Sequence, residues 1–324
     1  MGLTRGNTEI IKIFTDKVLN VGGLNPINEG FPIGEAIRRF ILQLKLAITI
    51  GTGAGPIADG DLNFLKALSI KNSRGWVMYN NLSGRPLWIL DQIKSRTLGV
   101  RTTLAAASAT YSQQYNLWFL DPMMLRPEDT ILDTSMFNKI QIDLILGTVA
   151  DLYTTVGTSS VIVTADLLAE RIRGKFPVKA KPKEYIEIGI PAPVNPASAT
   201  EINLERAENL AFKRLLVQAA NSAIVGIPFS GTPANTTIAA MGIDSDAGEL
   251  FNKLPWGMLN TIMKQDQEME AALPGYVLFD LCGDRSKMSA ILSGLYSRLR
   301  IFWDNGALST SQVSVCYEAM KKII

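Results

Sequence analysis

The sequence predicts an all-β protein made of two tandem copies of one β-rich unit, and three observations predict it. The stretch Ala36 to Gln43 (AIRRFILQ) returns 175 residues later as Ala211 to Gln218 (AFKRLLVQ), with like chemistry at each position. Apolar residues alternate with polar ones at a period of two in several short runs, the pattern of half-buried antiparallel strands. Gly- and Pro-containing turns separate these runs without a β-α-β rhythm, so each unit is a sandwich or a barrel.

The repeat extends along most of the chain. Residues 9–43 lie on 184–218 without a gap, and nine of the thirty-five positions are identical, among them Glu9/Glu184, Ile27/Ile202 and Arg39/Arg214. Unrelated sequences would share about two. Beyond this the separation shrinks. Lys66 to Gly75 lies on Ala239 to Gly248 at 173, and Tyr79 to Leu82 on Phe251 to Leu254 at 172. Asn116 to Asp121 lies on Gly275 to Asp280 at 159, as does Phe137 to Ile142 on Tyr296 to Ile301. Thr158 to Val163 lies on Thr310 to Val315 at 152. The second copy only loses residues, and its largest loss falls opposite Thr97 to Tyr115. That run is rich in Ala, Ser and Thr and is expected to be a surface loop, where length changes collect. Colinear order of all the segments makes duplication the reading.

Within each copy the elements follow from periodicity. Ile11/Ile13 and Ile186/Ile188 mark a first strand. Residues 36–48 fit a helix through Ile37, Phe40, Ile41, Leu44 and Ile48, but the alternation Phe40, Leu42, Leu44, Leu46, Ile48 favours a strand. Leu87 to Ile93 and Met258 to Glu270 are expected as helices at matching positions. Ile140, Ile142, Leu144 and Leu146 make a strand in copy one, as do Leu299, Ile301 and Trp303 in copy two. Val161/Val163 and Val313/Val315 make the last strand of each. Between the copies, Gly174 to Lys183 carries two prolines and four lysines and reads as an exposed, solvated linker. The expected division is therefore a first domain at 1–173, a linker at 174–183 and a second domain at 184–324.

Composition narrows the function. The chain has 324 residues, 47% hydrophobic and 19% charged, with a net charge of +2. That is enough for two cores, and it gives no basic or acidic signature of nucleic-acid binding. Low charge fits a protein that buries outer surface against neighbours slightly better than it fits a plain stable monomer. There is no histidine, which excludes histidine triads, histidine bases and nearly all zinc or non-haem iron sites. Cys282 and Cys316 are too few for a thiolate metal site and are expected as buried free thiols. No apolar run reaches the ~18 residues of a membrane span. Met1 to Gly6 lacks a signal-peptide core, so the expectation is a protein made and kept in the cytosol unless something else carries it out.

Candidate chemical motifs are weak. Gly51 to Pro56 lacks the Lys-Ser/Thr ending of a phosphate loop, and Asp59-Gly60-Asp61 follows where a helix should start, so a turn between strands is expected. Asp244 to Glu249 begins like a calcium loop but lacks the later ligands, and a hairpin turn shared with Lys71 to Gly75 fits better. Asp121 and Asp280, aligned between copies, are expected to be structural residues at strand ends. Equivalent positions in two units do not face each other across one bond, as paired catalytic carboxylates must. Trp76, Trp88, Trp118, Trp256 and Trp303 fall at strand or helix positions and read as core. No catalytic, cofactor-binding or metal-binding residue is expected.

One resemblance gives the pattern a meaning. Leu132-Asp133-Thr134 with Phe137 to Leu146, Gly275 to Asp280, and Leu65 to Gly75 resemble the double jelly-roll major capsid proteins of tailless, icosahedral, membrane-containing bacteriophages. Within that family the likeness is to capsid proteins of lipid-containing phages infecting Flavobacterium, and it covers nearly the whole chain. The resemblance implies two eight-stranded jelly rolls, and a homotrimer forming a pseudo-hexagonal capsomer in a virion that encloses a membrane. It also implies minor capsid, vertex or spike partners, no cofactor and no catalysis. Thr97 to Tyr115 becomes a candidate tower or intersubunit element, and the termini and linker become candidates for the lipid-facing end. The competing expectation, a two-domain carbohydrate-binding or carbohydrate-cleaving protein, needs an aromatic platform beside carboxylates. A duplicated cupin enzyme would need histidines.

Overall fold

An extended chain places every second side chain on one side, so Phe40, Leu42, Leu44, Leu46 and Ile48 can share one core face only as a strand. A computed structural model, describing residues 8–95, 101–120, 130–154, 156–172, 184–223, 227–269, 271–282, 290–306 and 311–322, makes Ala36–Thr49 a strand with all five side chains buried. The chain folds as two compact units that divide between Tyr185 and Ile186. The linker at 174–183 lies outside the described residues.

Unit 1 contains β1 (Thr8–Leu19), β2 (Leu24–Ile27), β3 (Ala36–Thr49), a one-turn helix α1 (Gly60–Asn63), β4 (Leu65–Asn72), β5 (Val77–Leu82) and α2 (Gly84–Ser95). It continues with β6 (Ala109–Trp118), β7 (Leu132–Asp133), β8 (Ile140–Leu146) and β9 (Ser160–Ile172). One sheet has the order β1-β9-β3-β6, with β7 also on β3, and the other the order β2-β8-β4-β5. Unit 2 contains β10 (Glu184–Gly189), β11 (Glu201–Asn203), β12 (Leu210–Asn221), β13 (Thr232–Pro233), β14 (Ile238–Ser245), β15 (Gly248–Pro255) and α3 (Trp256–Asp266). Then follow β16 (Tyr276–Asp280), β17 (Ile291–Leu292), β18 (Leu299–Asn305) and β19 (Gln312–Lys322). Its sheets run β10-β19-β12-β16, with β13 and β17 also on β12, and β11-β18-β14-β15.

Strand for strand, the second unit repeats the first, and four strands facing four in this order make a jelly roll. The core of unit 2 lies between its sheets, with Phe212, Leu215, Val217, Ile243, Phe279, Ile301, Trp303 and Val315 among its members. In unit 1, Phe40, Leu44, Leu68, Ile70, Leu117, Ile142, Leu144 and Leu167 occupy the matching places.

Strand pairing confirms the separations of 175, 173 and 172, and that of 159 for Phe137 to Ile142, and corrects the alignment of two other segments. Ile27↔Ile142 matches Ile202↔Ile301, and Ile70↔Tyr79 matches Ile243↔Phe251. Arg39, however, stands opposite Trp118, whereas Arg214 stands opposite Asp280. The sixth main strands are therefore related by 162 (118 to 280), and not by 159. Likewise Arg39 pairs with Glu170 and Arg214 with Glu318, a separation of 148 (170 to 318) in place of 152. Runs of alternating apolar residues look alike when slid by a few positions, and only the hydrogen-bonded partner fixes the register.

The run Thr97 to Tyr115 is also corrected. Its second half is strand: Ala109 to Trp118 pairs with β3 from Ile48 back to Arg39. In unit 2 the same length of β12 is covered in two pieces, by β16 over Arg214 to Gln218 and by β13 over Ala220 and Asn221. The long strand needs partners for its backbone groups along its length, and the two units supply them differently.

Both helices occur where periodicity places them. α2 is longer than Leu87 to Ile93, and α3 ends at Asp266 instead of reaching Glu270. Glu268 has φ 53, a left-handed conformation that terminates helices. A helical turn also begins at Gly60, soon after Gly51 to Pro56, where none was expected. The turn reading of Gly51 to Pro56 itself holds, with Pro56 bridging to Tyr153.

Candidate functional site

The central strand pair in each unit carries the same irregularity. Pairing slips between Ile37 and Arg39 against β9, and between Phe212 and Arg214 against β19. A β-bulge inserts one residue, so Arg38 and Lys213 are the extra residues, and two consecutive basic side chains gather round one acid. In unit 1, Arg38 Nη1 and Arg39 Nε reach Glu170 at 2.8 and 2.5 Å. In unit 2, Lys213 Nζ and Arg214 Nη1 reach Glu318 Oε1 at 2.9 and 3.2 Å. Burial alone would raise the Glu170 carboxyl, but Arg39 and Arg38 hold it below the usual carboxylate range.

The surroundings differ. Arg39 lies over the Trp118 ring at 4.5 Å and donates to Asn116 Oδ1 at 3.0 Å. Arg214 instead has the Asp280 carboxylate at 3.6 Å. Arg38 and Arg39 retain 24% and 21% side-chain exposure, whereas Lys213 and Glu318 have none.

The outward faces of these sheets differ in the same sense. In unit 2, Leu216, Gln218, Ser314, Cys316, Glu318 and Met320 point away from the core and are buried nonetheless. Part of their cover is the segment 227–230: Phe229 N donates to Ser314 Oγ, and Gln312 Nε2 donates to the Ile227 carbonyl. In unit 1 the corresponding face is open. Ile10, Val18 and Ile162 are exposed there, and Lys45 sits between Asp16 and Asp166 at 2.9 and 2.8 Å. Burial opposes the Asp166 charge, but the Lys45 hydrogen bond keeps its carboxyl below the usual range.

The extra length of unit 1 collects at one end. Ile50 N donates to Ser108 Oγ at 3.0 Å, Gly51 N to Ser159 Oγ at 2.8 Å, and Tyr153 Oη to the Ala105 carbonyl at 3.0 Å. The connections after β3, before β6 and after β8 thus meet. Tyr111 Oη pins the exposed segment 105–110 by donating to the Ala107 carbonyl at 2.8 Å, and Arg101 anchors its start on Asp59 and Asp61 at 2.6 Å each.

The residues singled out from the sequence have structural placements. Asp280 accepts from Cys282 N and faces Arg214, a structural role at a strand end. Asp121 lies outside the described residues, and Trp118, not Asp121, is the partner of Asp280 by register. Asp244 to Glu249 is a hairpin: Asp244 is bound by Arg300, and Asp246 accepts from Ser297 N and Oγ. Among the described residues no group of three acids or cysteines could hold a metal ion. Trp118, Trp256 and Trp303 are core side chains, while Trp76 and Trp88 are half-buried. Both cysteines are buried and neither is in a disulfide. Glu170 and Glu318 were not singled out, although the consecutive basic pair in both apolar strands was a readable sign that each sheet must supply an acid.

No family model matches the sequence, and no curated protein matches it significantly. Solved structures do. The Sulfolobus Turreted Icosahedral Virus structure superimposes with a TM-score of 0.70 at 15% identity, covering 98% of this chain and 91% of that one. The major capsid protein P2 of bacteriophage PM2 gives 0.64 at 13% identity, covering 98% of both chains. The PBCV-1 virus capsid gives 0.64 at 10%, covering 97% and 93%. The fold of this chain is the double jelly roll.

Proposed function

We propose that this chain is the major capsid protein of an icosahedral virion enclosing a lipid membrane, built as a homotrimer whose six jelly rolls form a pseudo-hexagonal capsomer. The observation that supports it is that nearly the whole chain, both units included, takes the fold of the major capsid protein P2 of bacteriophage PM2 and of the PBCV-1 virus capsid. A trimer of two-unit chains fills a six-neighbour lattice position, while the differences between units allow distinct contacts around it. The open face of unit 1, with exposed Ile10, Val18 and Ile162, suits contact with neighbouring protein. Arg38, Arg39 and Lys45 on it are paired with Glu170, Asp16 and Asp166, which limits the positive field that would attract nucleic acid.

On this reading the chain catalyses nothing, acts in the virion after synthesis in the host cytoplasm, and works with minor capsid, vertex or spike proteins. The connections meeting at residues 50–51, 105–108 and 159 are the tower or intersubunit element. The termini and the linker face the membrane. A glycan-binding reading has little to stand on, because Trp118, Trp256 and Trp303 are inside.

Native mass is the first test. The protein should run as a stable species near three times 35.4 kDa, and electron microscopy of virions should show it in the shell. A monomer that binds a glycan column would overturn the proposal.

A further inference from the structure

The helix after the fifth main strand is docked by different chemistry in the two units. In unit 1, α2 presents Asp91, which is 2% exposed. Its Oδ1 accepts from Trp118 Nε1 at 3.0 Å, and its Oδ2 from Asn116 Nδ2 at 2.7 Å and Asn116 N at 3.4 Å. These donors are all neutral. In unit 2 the register that relates β5 to β15, a separation of 172, puts Met263 at the place of Asp91, and Met263 is also 2% exposed. The position of Trp118 is taken by Asp280, which faces Arg214. The α3 helix is fixed instead by Asn260, whose Nδ2 donates to the carbonyls of Leu273 and Tyr276 at 2.8 Å each. One copy of the duplicated joint therefore hangs on a titratable group, and the other does not.

We propose that α2 is a pH-graded clamp, which closes on β6 as Asp91 takes up a proton and loosens as the carboxyl ionises, whereas α3 is indifferent to pH. A carboxylate held only by neutral donors at a buried site is stabilised less than in solution, and burial accordingly raises the Asp91 carboxyl above its usual range, against the opposing effect of the Trp118 and Asn116 hydrogen bonds. The neighbouring charges are committed to other partners. Arg39, on β3, touches the cluster through the Asn116 amide oxygen and the Trp118 ring and favours the Asp91 charge, but less than burial opposes it, being bound to Glu170 of β9, as is Arg38. On the α1 side, Asp59 and Asp61 bind Arg101, and Arg85 of α2 binds Asp59. On β4, Lys66 binds Asp151 and Lys71 binds Asp143. Tyr115 of β6 stays neutral, its hydroxyl raised by burial. Lys94 of α2 is buried on the same helix.

The sign is fixed by linkage. A folded-state value above the unfolded one of about 3.9 means that the stabilisation is complete below that pH and is lost as pH rises through the folded value. The test is hydrogen exchange on the intact protein between pH 7 and pH 4.5, expressed as protection relative to unstructured peptide. Protection of α2 amides should grow on acidification, up to about tenfold for each unit by which the pKa is raised, while that of the α3 amides stays level. In Asp91→Asn the α2 gradient should vanish. A wild-type α2 that is level or loses protection on acidification overturns the proposal, as does a gradient shared equally by α3 or retained in Asp91→Asn. The wild-type comparison of the two helices stands even if the variant does not fold.

Discussion

Truncating the acid at the centre of each unit should cost far more in the second than in the first. Glu318 has no exposure and holds Lys213 and Arg214, whose side chains are 0% and 2% exposed. Removing it leaves Lys213 and Arg214 buried with less negative charge beside them, Arg214 keeping the more distant Asp280 carboxylate at 3.6 Å. Breaking a buried ion pair from one side costs about 3–5 kcal/mol, chiefly through the charge left behind. Glu170 holds an equivalent pair, but Arg38 and Arg39 keep about a fifth to a quarter of their exposure. After truncation Arg39 still has Asn116 and the face of Trp118. Water and these partners should limit the loss to about 1–2 kcal/mol. Urea denaturation of the full chain, comparing Glu318→Ala with Glu170→Ala at neutral pH, should therefore show a gap of roughly 2 kcal/mol. Equal losses, or a larger one for Glu170→Ala, would refute the link drawn between burial and the strength of these pairs.

Three further outcomes can be measured. Gly275 has φ 73, and a Cβ there would lie 2.4 Å from Ala234 N and 2.5 Å from Pro233 Cβ; Gly275→Ala should cost about 2–5 kcal/mol by denaturation. Gly53, at φ 78 with nothing within 4 Å, should lose only the conformational share, about 1–2 kcal/mol. The depressed carboxyl of Glu170 contributes stability that is present above its unfolded value of about 4.3 and lost as pH falls through the lower folded value. A stability–pH profile of Glu170→Gln should accordingly be flatter than wild type below about pH 4.3, and an unchanged acid slope would count against the Arg38 and Arg39 effect.

Much of the fold was legible because duplication prints each element twice. The pattern Phe40, Leu42, Leu44, Leu46 and Ile48 could be checked against its twin at Leu215 and Val217, and both proved to be the inward face of a central strand. Register was less legible. Asn116 to Asp121 slid onto Gly275 to Asp280 because both are short apolar runs ending in Asp, yet Trp118 is the true counterpart of Asp280. The partners of the basic pair were hidden for another reason. Glu170 and Glu318 lie more than a hundred residues away in sequence, and a bulge leaves no local signature in a run of apolar residues. The buried outward face of β12 and β19 was equally unreadable, since alternation implies one wet side and Gln218, Ser314 and Glu318 look like residues for it.

The shared bulge also dates the changes that followed it. An extra residue at the same step in β3 and β12 is most economically an inheritance, already present with its basic pair and its acid before the gene doubled. Trp118 and Asp280, which stand at one position and treat the same arginine in opposite ways, record a later divergence. An ancestral single-unit protein rebuilt from the two halves should keep the Arg–Glu pairing fixed and leave that one neighbour as the variable to be tried.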